Sequence, residues 1–135
     1  MQDNCVFCQI MAGKIPASVV YEDELCKAFM DIQPVTRGHV LVVPKFHALG
    51  LGDLPPVLGG HLFQIGQQVA QALRSNMAAE GINFFLADGE VAFQTVFHVH
   101  LHVIPRYEGD GFGLKFGADY KNLPSRSSLQ QQAES

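Results

Sequence analysis

The sequence predicts an α+β fold in which a five-stranded, mainly antiparallel sheet carries one long helix and a short N-terminal helix. Apolar runs rich in β-branched residues over 19–22, 25–30, 39–43, 82–86 and 97–104 are bounded by turn residues, which is the mark of strands. One stretch of helical periodicity, Leu62, Ile65, Val69, Ala72 and Leu73, interrupts them. The resulting order, three strands, a helix and two more strands, lacks the alternation of a doubly wound sheet and places the helices on one face.

Each element has a local reason. Val6, Phe7, Ile10 and Met11 recur at helical spacing and end at Gly13, giving the short first helix. Val19–Glu22 and Leu25–Met30 are joined by the acidic turn Asp23-Glu24, a hairpin that His39–Val43 extends before Pro44. Asp53 is suited to cap the long helix and Pro55 and Pro56 to fill its first turn. Gly59 and Gly60 cost about 1 kcal/mol each against Ala, so regular order is expected from near His61. Ile82–Leu86 is the fourth strand, and Phe97–Ile104 the fifth. The chain divides into a domain, 1–112, and an extension, 113–135, whose Ser/Gln-rich end from Ser125 is expected to be mobile.

With 135 residues and 47% apolar composition the chain can bury one core. Nine basic against thirteen acidic residues, a formal charge of -4, leave no basic field for a nucleic-acid backbone or an anionic membrane. No stretch approaches a membrane span and the N-terminus has no signal-peptide pattern, so a cytoplasmic protein is expected. Three cysteines cannot all pair and read as thiols. Cys5 and Cys8 form a C-x2-C pair that can chelate a metal or fill the core, while Cys26, in a strand, reads as core.

The chemistry concentrates in Phe97–Ile104. Side chains alternate faces along a strand, so His98, His100 and His102 share one side, while Phe97, Val99, Leu101 and Val103 share an apolar one. Same-face residues lie roughly 6.5 to 7 Å apart, which separates His98 from His102 by about 13 Å and disfavours a three-histidine metal tripod. Three separate roles suit them better: one histidine orients, one attacks and one stabilises charge.

The pattern His98-Val99-His100-Leu101-His102-Val103-Ile104 resembles the signature of the histidine triad (HIT) superfamily, and the likeness extends from Cys5 to Arg106 through Asp31-Ile32-Gln33-Pro34, Gly38-His39, Val43-Pro44-Lys45-Phe46-His47 and Gln94-Thr95-Val96. It looks like the bacterial Hit-like, Hint-related branch with a zinc site. The resemblance implies a homodimer joined into a ten-stranded sheet, with a purine nucleotide pocket in each subunit. It also implies attack by His100 on the α-phosphate of a nucleoside phosphoramidate or dinucleoside polyphosphate, giving a nucleotidyl-histidine that water hydrolyses. His102 would bond a phosphate oxygen or the leaving group, and the His98 carbonyl and His39 would orient the nucleophile. Asp31 would take the ribose hydroxyls, Phe7, Ile10, Ile15 and Ile32 would pack the base, and Asp88, Gln94 and Thr95 would lie at the phosphate.

Two positions depart from the family pattern. Ala87 stands where members commonly have Asn, and Phe93 where they have Gly, so a side-chain donor is lost and a ring replaces the residue that lets phosphate approach the main chain. A nucleotide-binding regulatory module with weak or no turnover is the rival expectation. A subset of the family completes a cysteine pair with two histidines, here His47 and His98. Cys5, Cys8, His47 and His98 would then hold a structural zinc with no open position, which argues against a zinc-dependent hydrolase.

Overall fold

The computed structural model describes residues 2–135. Strands β1 (Val19–Glu22), β2 (Cys26–Met30), β3 (Val40–Pro44), β4 (Gly81–Phe85) and β5 (Leu101–Arg106) form one sheet in the order β1-β2-β3-β5-β4. All neighbours pair antiparallel. The helices are α1 (Val6–Met11), α2 (Pro56–Met77) and α3 (Arg126–Glu134). The predicted fold class is the observed one.

The sheet is covered on both faces, not on one. Cys26, Ala28, Val40, Val42, Leu101 and Val103 point to α2 and meet Leu62, Ile65, Val69 and Leu73 in the larger core. The alternate residues Phe29, Leu41 and Val43 point the other way and meet Cys5, Phe7, Cys8 and Ile10 around α1. Strands buried on both sides read as continuous apolar runs, as β3 does, with every residue buried. Helix α2 lies close enough to the sheet that a Cβ at Gly66 would stand 3.0 Å from Leu101 and Phe84 carbons.

Several boundaries differ from expectation for identifiable reasons. Helix α2 begins at Pro56, with Pro55 at its N-cap, and Asp53 instead closes a short 3-10 turn, Leu51–Asp53. Gly59 and Gly60 are helical because the buried apolar stripe outweighs their propensity cost. The fifth strand begins at Leu101, not Phe97. Its ladder to β3 ends at Val42↔Leu101; beyond it the Pro44 carbonyl meets the His98 ring and the Val99 N–H donates to Ala48 O at 2.8 Å. Phe97, lying outside the ladder, is half exposed instead of core. Residues 126–134, for which no secondary structure was expected in a stretch read as mobile, form α3, capped by the Ser125 hydroxyl accepting from the Ser128 N–H.

Candidate active site and metal-binding cluster

Register builds the floor of the site. Phe29 pairs with Leu41, and Leu41 with His102, so three side chains from β2, β3 and β5 line up on the α1 face. Over them α1, the 15–17 segment and the 31–33 loop enclose a cleft of about 310 Å³, lined by Phe7, Ile10, Ile15, Asp31, Ile32, Thr95, Val96, His100 and His102, among others. A larger groove of about 440 Å³ runs between α2 and β1–β3, but its lining holds none of the triad histidines. Convergent polar groups, not size, mark the histidine cleft as the candidate site.

Hydrogen bonds define the tautomers of the triad. His100 Nδ1 lies 2.8 Å from the His98 carbonyl oxygen. A carbonyl only accepts, so Nδ1 carries the proton and the Nε2 lone pair is free. His98 Nε2 lies 2.8 Å from Pro44 O and is protonated for the same reason, leaving its Nδ1 lone pair turned to the cysteines. His39 Nδ1 accepts from the Val35 N–H at 3.2 Å, and His39 Nε2 stands 2.9 Å from His102 Nδ1. Burial lowers the pKa of His39, His98, His100 and His102, the last from an ordinary 6.5 to about 4 with its histidine neighbours adding to the effect. All four are neutral near pH 7.

The outer two triad histidines thus join separate clusters. His98 joins Cys5, Cys8 and His47, and His102 joins His39 and Asp31. In the first group Cys5 Sγ and His98 Nδ1 are 3.4 Å apart, Cys8 Sγ and His47 Nδ1 3.2 Å, Cys8 Sγ and His98 Nδ1 3.6 Å, and the two Nδ1 atoms 3.1 Å. Tetrahedral zinc with ordinary bond lengths requires ligand separations of about 3.3 to 3.8 Å. Two imidazole nitrogens and two thiols converging at 3.1 to 3.6 Å, within about 0.2 Å of this range and all but His47 buried, fit a dication. Burial raises the Cys5 thiol above its ordinary range, an opposition to the thiolate that a bound dication overcomes.

The nucleotide-site expectations separate by position. Phe7, Ile10, Ile15, Asp31, Ile32 and Thr95 all line the cleft, although Ile32 is otherwise almost fully exposed. Asp31 Oδ1 accepts from the Gln33 N–H at 2.8 Å, which also makes it a turn acid, and its Oδ2 lies 3.5 Å from His39 Nε2. Gln94 is buried with its amide spent on the backbone: Oε1 accepts from the Gly89 N–H, and Nε2 donates to Leu49 O and Val96 O. Asp88 is exposed, with its carboxylate against the Gly50 backbone. Neither lines the cleft. Sequence reasoning did not anticipate the Pro44 carbonyl or the Val35 N–H, since no side-chain pattern encodes which backbone group faces a ring.

Residues 12–109 match the HIT domain family. The chain belongs to the HIT family. A HIT-like protein of Mycobacterium tuberculosis is 45% identical over 124 residues, 92% of this chain and 86% of its own length. An adenylylsulfatase of Arabidopsis thaliana is 34% identical over 110 residues, 82% of this chain and 56% of its own length. Among solved structures, a HIT family protein of Bacillus anthracis superposes with a TM-score of 0.89 at 44% identity, covering 99% of this chain and 95% of its own. A zinc-bound histidine triad family protein of Mycobacterium smegmatis gives 0.79 at 43% identity, covering 97% and 96%. Cys5 and Cys8 precede the matched HIT range, whereas His47 and His98 lie within it.

Proposed function

We propose that this HIT protein hydrolyses or transfers nucleotides by attack of His100 on the α-phosphate of a nucleoside phosphoramidate or dinucleoside polyphosphate. The observation that carries the reading is the 2.8 Å bond from His100 Nδ1–H to the His98 carbonyl, which directs the Nε2 lone pair to an apolar cleft. That lone pair forms the N–P bond, the bond from phosphorus to the leaving group breaks with its pair on the departing atom, and that atom takes a proton from solvent. The positive charge on His100 is supported by the carbonyl. Water then adds to phosphorus, the N–P pair returns to Nε2, and the water's proton is released with the nucleoside monophosphate. His102 donates to a phosphate oxygen, Thr95 supplies a hydroxyl beside it, and Asp31 accepts from the ribose.

Cys5, Cys8, His47 and His98 hold zinc in this reading, in a closed and therefore structural site. No helix among the described residues is long and apolar enough to cross a membrane. A homodimer fits the free outer edge of β4 and the exposed arm after Arg106. Incubation with an adenosine or guanosine phosphoramidate, followed by denaturing mass spectrometry, tests the chemistry. The expected result is a nucleotidyl adduct on His100, and a fall in kcat of about four orders of magnitude in His100→Ala. Nucleotide binding without adduct or turnover would favour the regulatory module, and turnover that survives His100→Ala would remove the nucleophile assignment.

A further inference from the structure

Lys27 puts a charge in the middle of the sheet. It belongs to β2, which pairs with both β1 and β3, and its neighbours Cys26, Ala28 and Phe29 are all buried. The lysine itself is only 8% exposed. A lysine is seldom buried without a partner, because stripping water from an ammonium is costly. Alternation along β2 puts Lys27 on the same face as Phe29, opposite Val43, and therefore beneath α1. There its Nζ donates to the Ile10 carbonyl oxygen at 3.2 Å, and Glu22 Oε2 lies 3.8 Å away. Lys45 Nζ, 2.8 Å from the same Glu22 oxygen, holds that carboxyl below its ordinary range, so it remains an anion.

The Ile10 carbonyl lies in the last turn of α1, where a helix ends in unpaired acceptors and partial negative charge. Helix α1 has no basic residue of its own in that turn, so the sheet supplies the cation. The same oxygen accepts from the Gly13 N–H at 3.1 Å, closing the turn from which the chain runs on to Ile15. Ile10 and Ile15 both line the histidine cleft. We propose that Lys27 is a positioning residue for the nucleotide: it clamps the C-terminal end of α1 to the sheet and so holds the wall of Ile10 and Ile15 against which the base packs. The proposal rests on the nucleotide reading above for what that wall contacts. The clamp is separate from the proposed metal cluster, which meets α1 at its other end through Cys5 and Cys8. Lys27 lies outside the cleft lining and touches no reacting atom, so its removal should weaken binding while leaving the chemical step alone.

Hydrogen exchange and nucleotide binding test the clamp separately. Lys27→Met keeps most of the side-chain length and removes the charge. The hydrogen-bonded amides of residues 12–15 should then exchange at least about fivefold faster, with those of residues 5–8 and of the α2 core unchanged. In calorimetric titration with AMP and with GMP the dissociation constant should rise about 5- to 20-fold. With an adenosine or guanosine phosphoramidate KM should rise by the same factor while kcat changes less than about twofold. Lys27→Arg restores a donor and a charge and should recover most of both losses, which a lysine serving only to fill space would not require. Unchanged affinity in Lys27→Met, faster exchange spread over the whole chain, or Lys27→Arg as weak as Lys27→Met would overturn the proposal. Should Lys27→Met fail to fold, Lys27→Gln, which is shorter and uncharged, must show the same local pattern or the proposal falls. A wild type that binds neither nucleotide would sink the nucleotide reading, while the exchange pattern alone would still decide whether Lys27 clamps α1.

Discussion

Phe93 occupies a backbone conformation its side chain does not favour. Its φ is +75°, and it shares the left-handed region with only one other non-glycine residue among those described, Ala78. The ring is 78% exposed, so little burial compensates for the strain. Glycine is the residue the HIT resemblance leads one to expect there, and the geometry suits it: the turn closing Glu90–Ala92 requires positive φ. Left-handed backbone costs an L-residue about 1–2 kcal/mol, and glycine's extra freedom in the unfolded chain returns roughly half of that. Phe93→Gly is therefore expected to stabilise the protein by about 0.5–1 kcal/mol in denaturant unfolding. A loss of stability instead would mean that the exposed ring has a partner in solution, such as a second copy of the chain.

Helix α1 is too short, at six residues, to be stable by itself, and two observations account for its place on the sheet. Phe7 and Ile10 bury against Phe29, Leu41 and Val43, and Cys5 and Cys8 meet His47 and His98. Metal analysis should find one zinc per chain. Chelation should lower Tm by roughly 5–10 °C and speed amide exchange over residues 5–12 first, leaving the core around α2 as the last to open. Uniform loss of protection throughout the chain would contradict that order. The element scale also shows what the sequence made legible. Five strands, the long helix and the alternation of Val99, Leu101 and Val103 against the histidines follow from periodicity and are present. The second covered face was harder to read, because β3 is apolar on both sides and periodicity does not say what lies over a face. The expected phosphate role of Gln94 met a tertiary fact, a buried amide committed to Gly89, Leu49 and Val96, that one-dimensional spacing cannot carry.

For the whole molecule the least satisfied region is the arm from Gly111 onward. Leu114, Phe116, Tyr120 and Leu123 are exposed, with Phe116 and Tyr120 stacked on each other at 4.0 Å. A chain that ends this way gains apolar burial by lying on a second copy, as the proposed homodimer provides. Removing residues 113–135 should raise the dimer dissociation constant at least about tenfold in analytical ultracentrifugation, and an unchanged constant would assign the arm elsewhere. Phe7 lies between the two cysteines in sequence, and its ring stands edge-on to His98, His100 and Phe29, with centroids 5.8, 5.0 and 5.7 Å away. The residue that walls the proposed nucleophile is thus flanked on both sides by proposed metal ligands. A practical bias follows for anyone preparing this protein. If the proposed zinc is bound, chelating buffers, oxidising storage or a bulky tag fused just ahead of Cys5 would strip the pocket of a wall while the triad stayed intact, and specific activity would track metal content from batch to batch, so that a metal with only a structural role would produce the laboratory behaviour of a metalloenzyme.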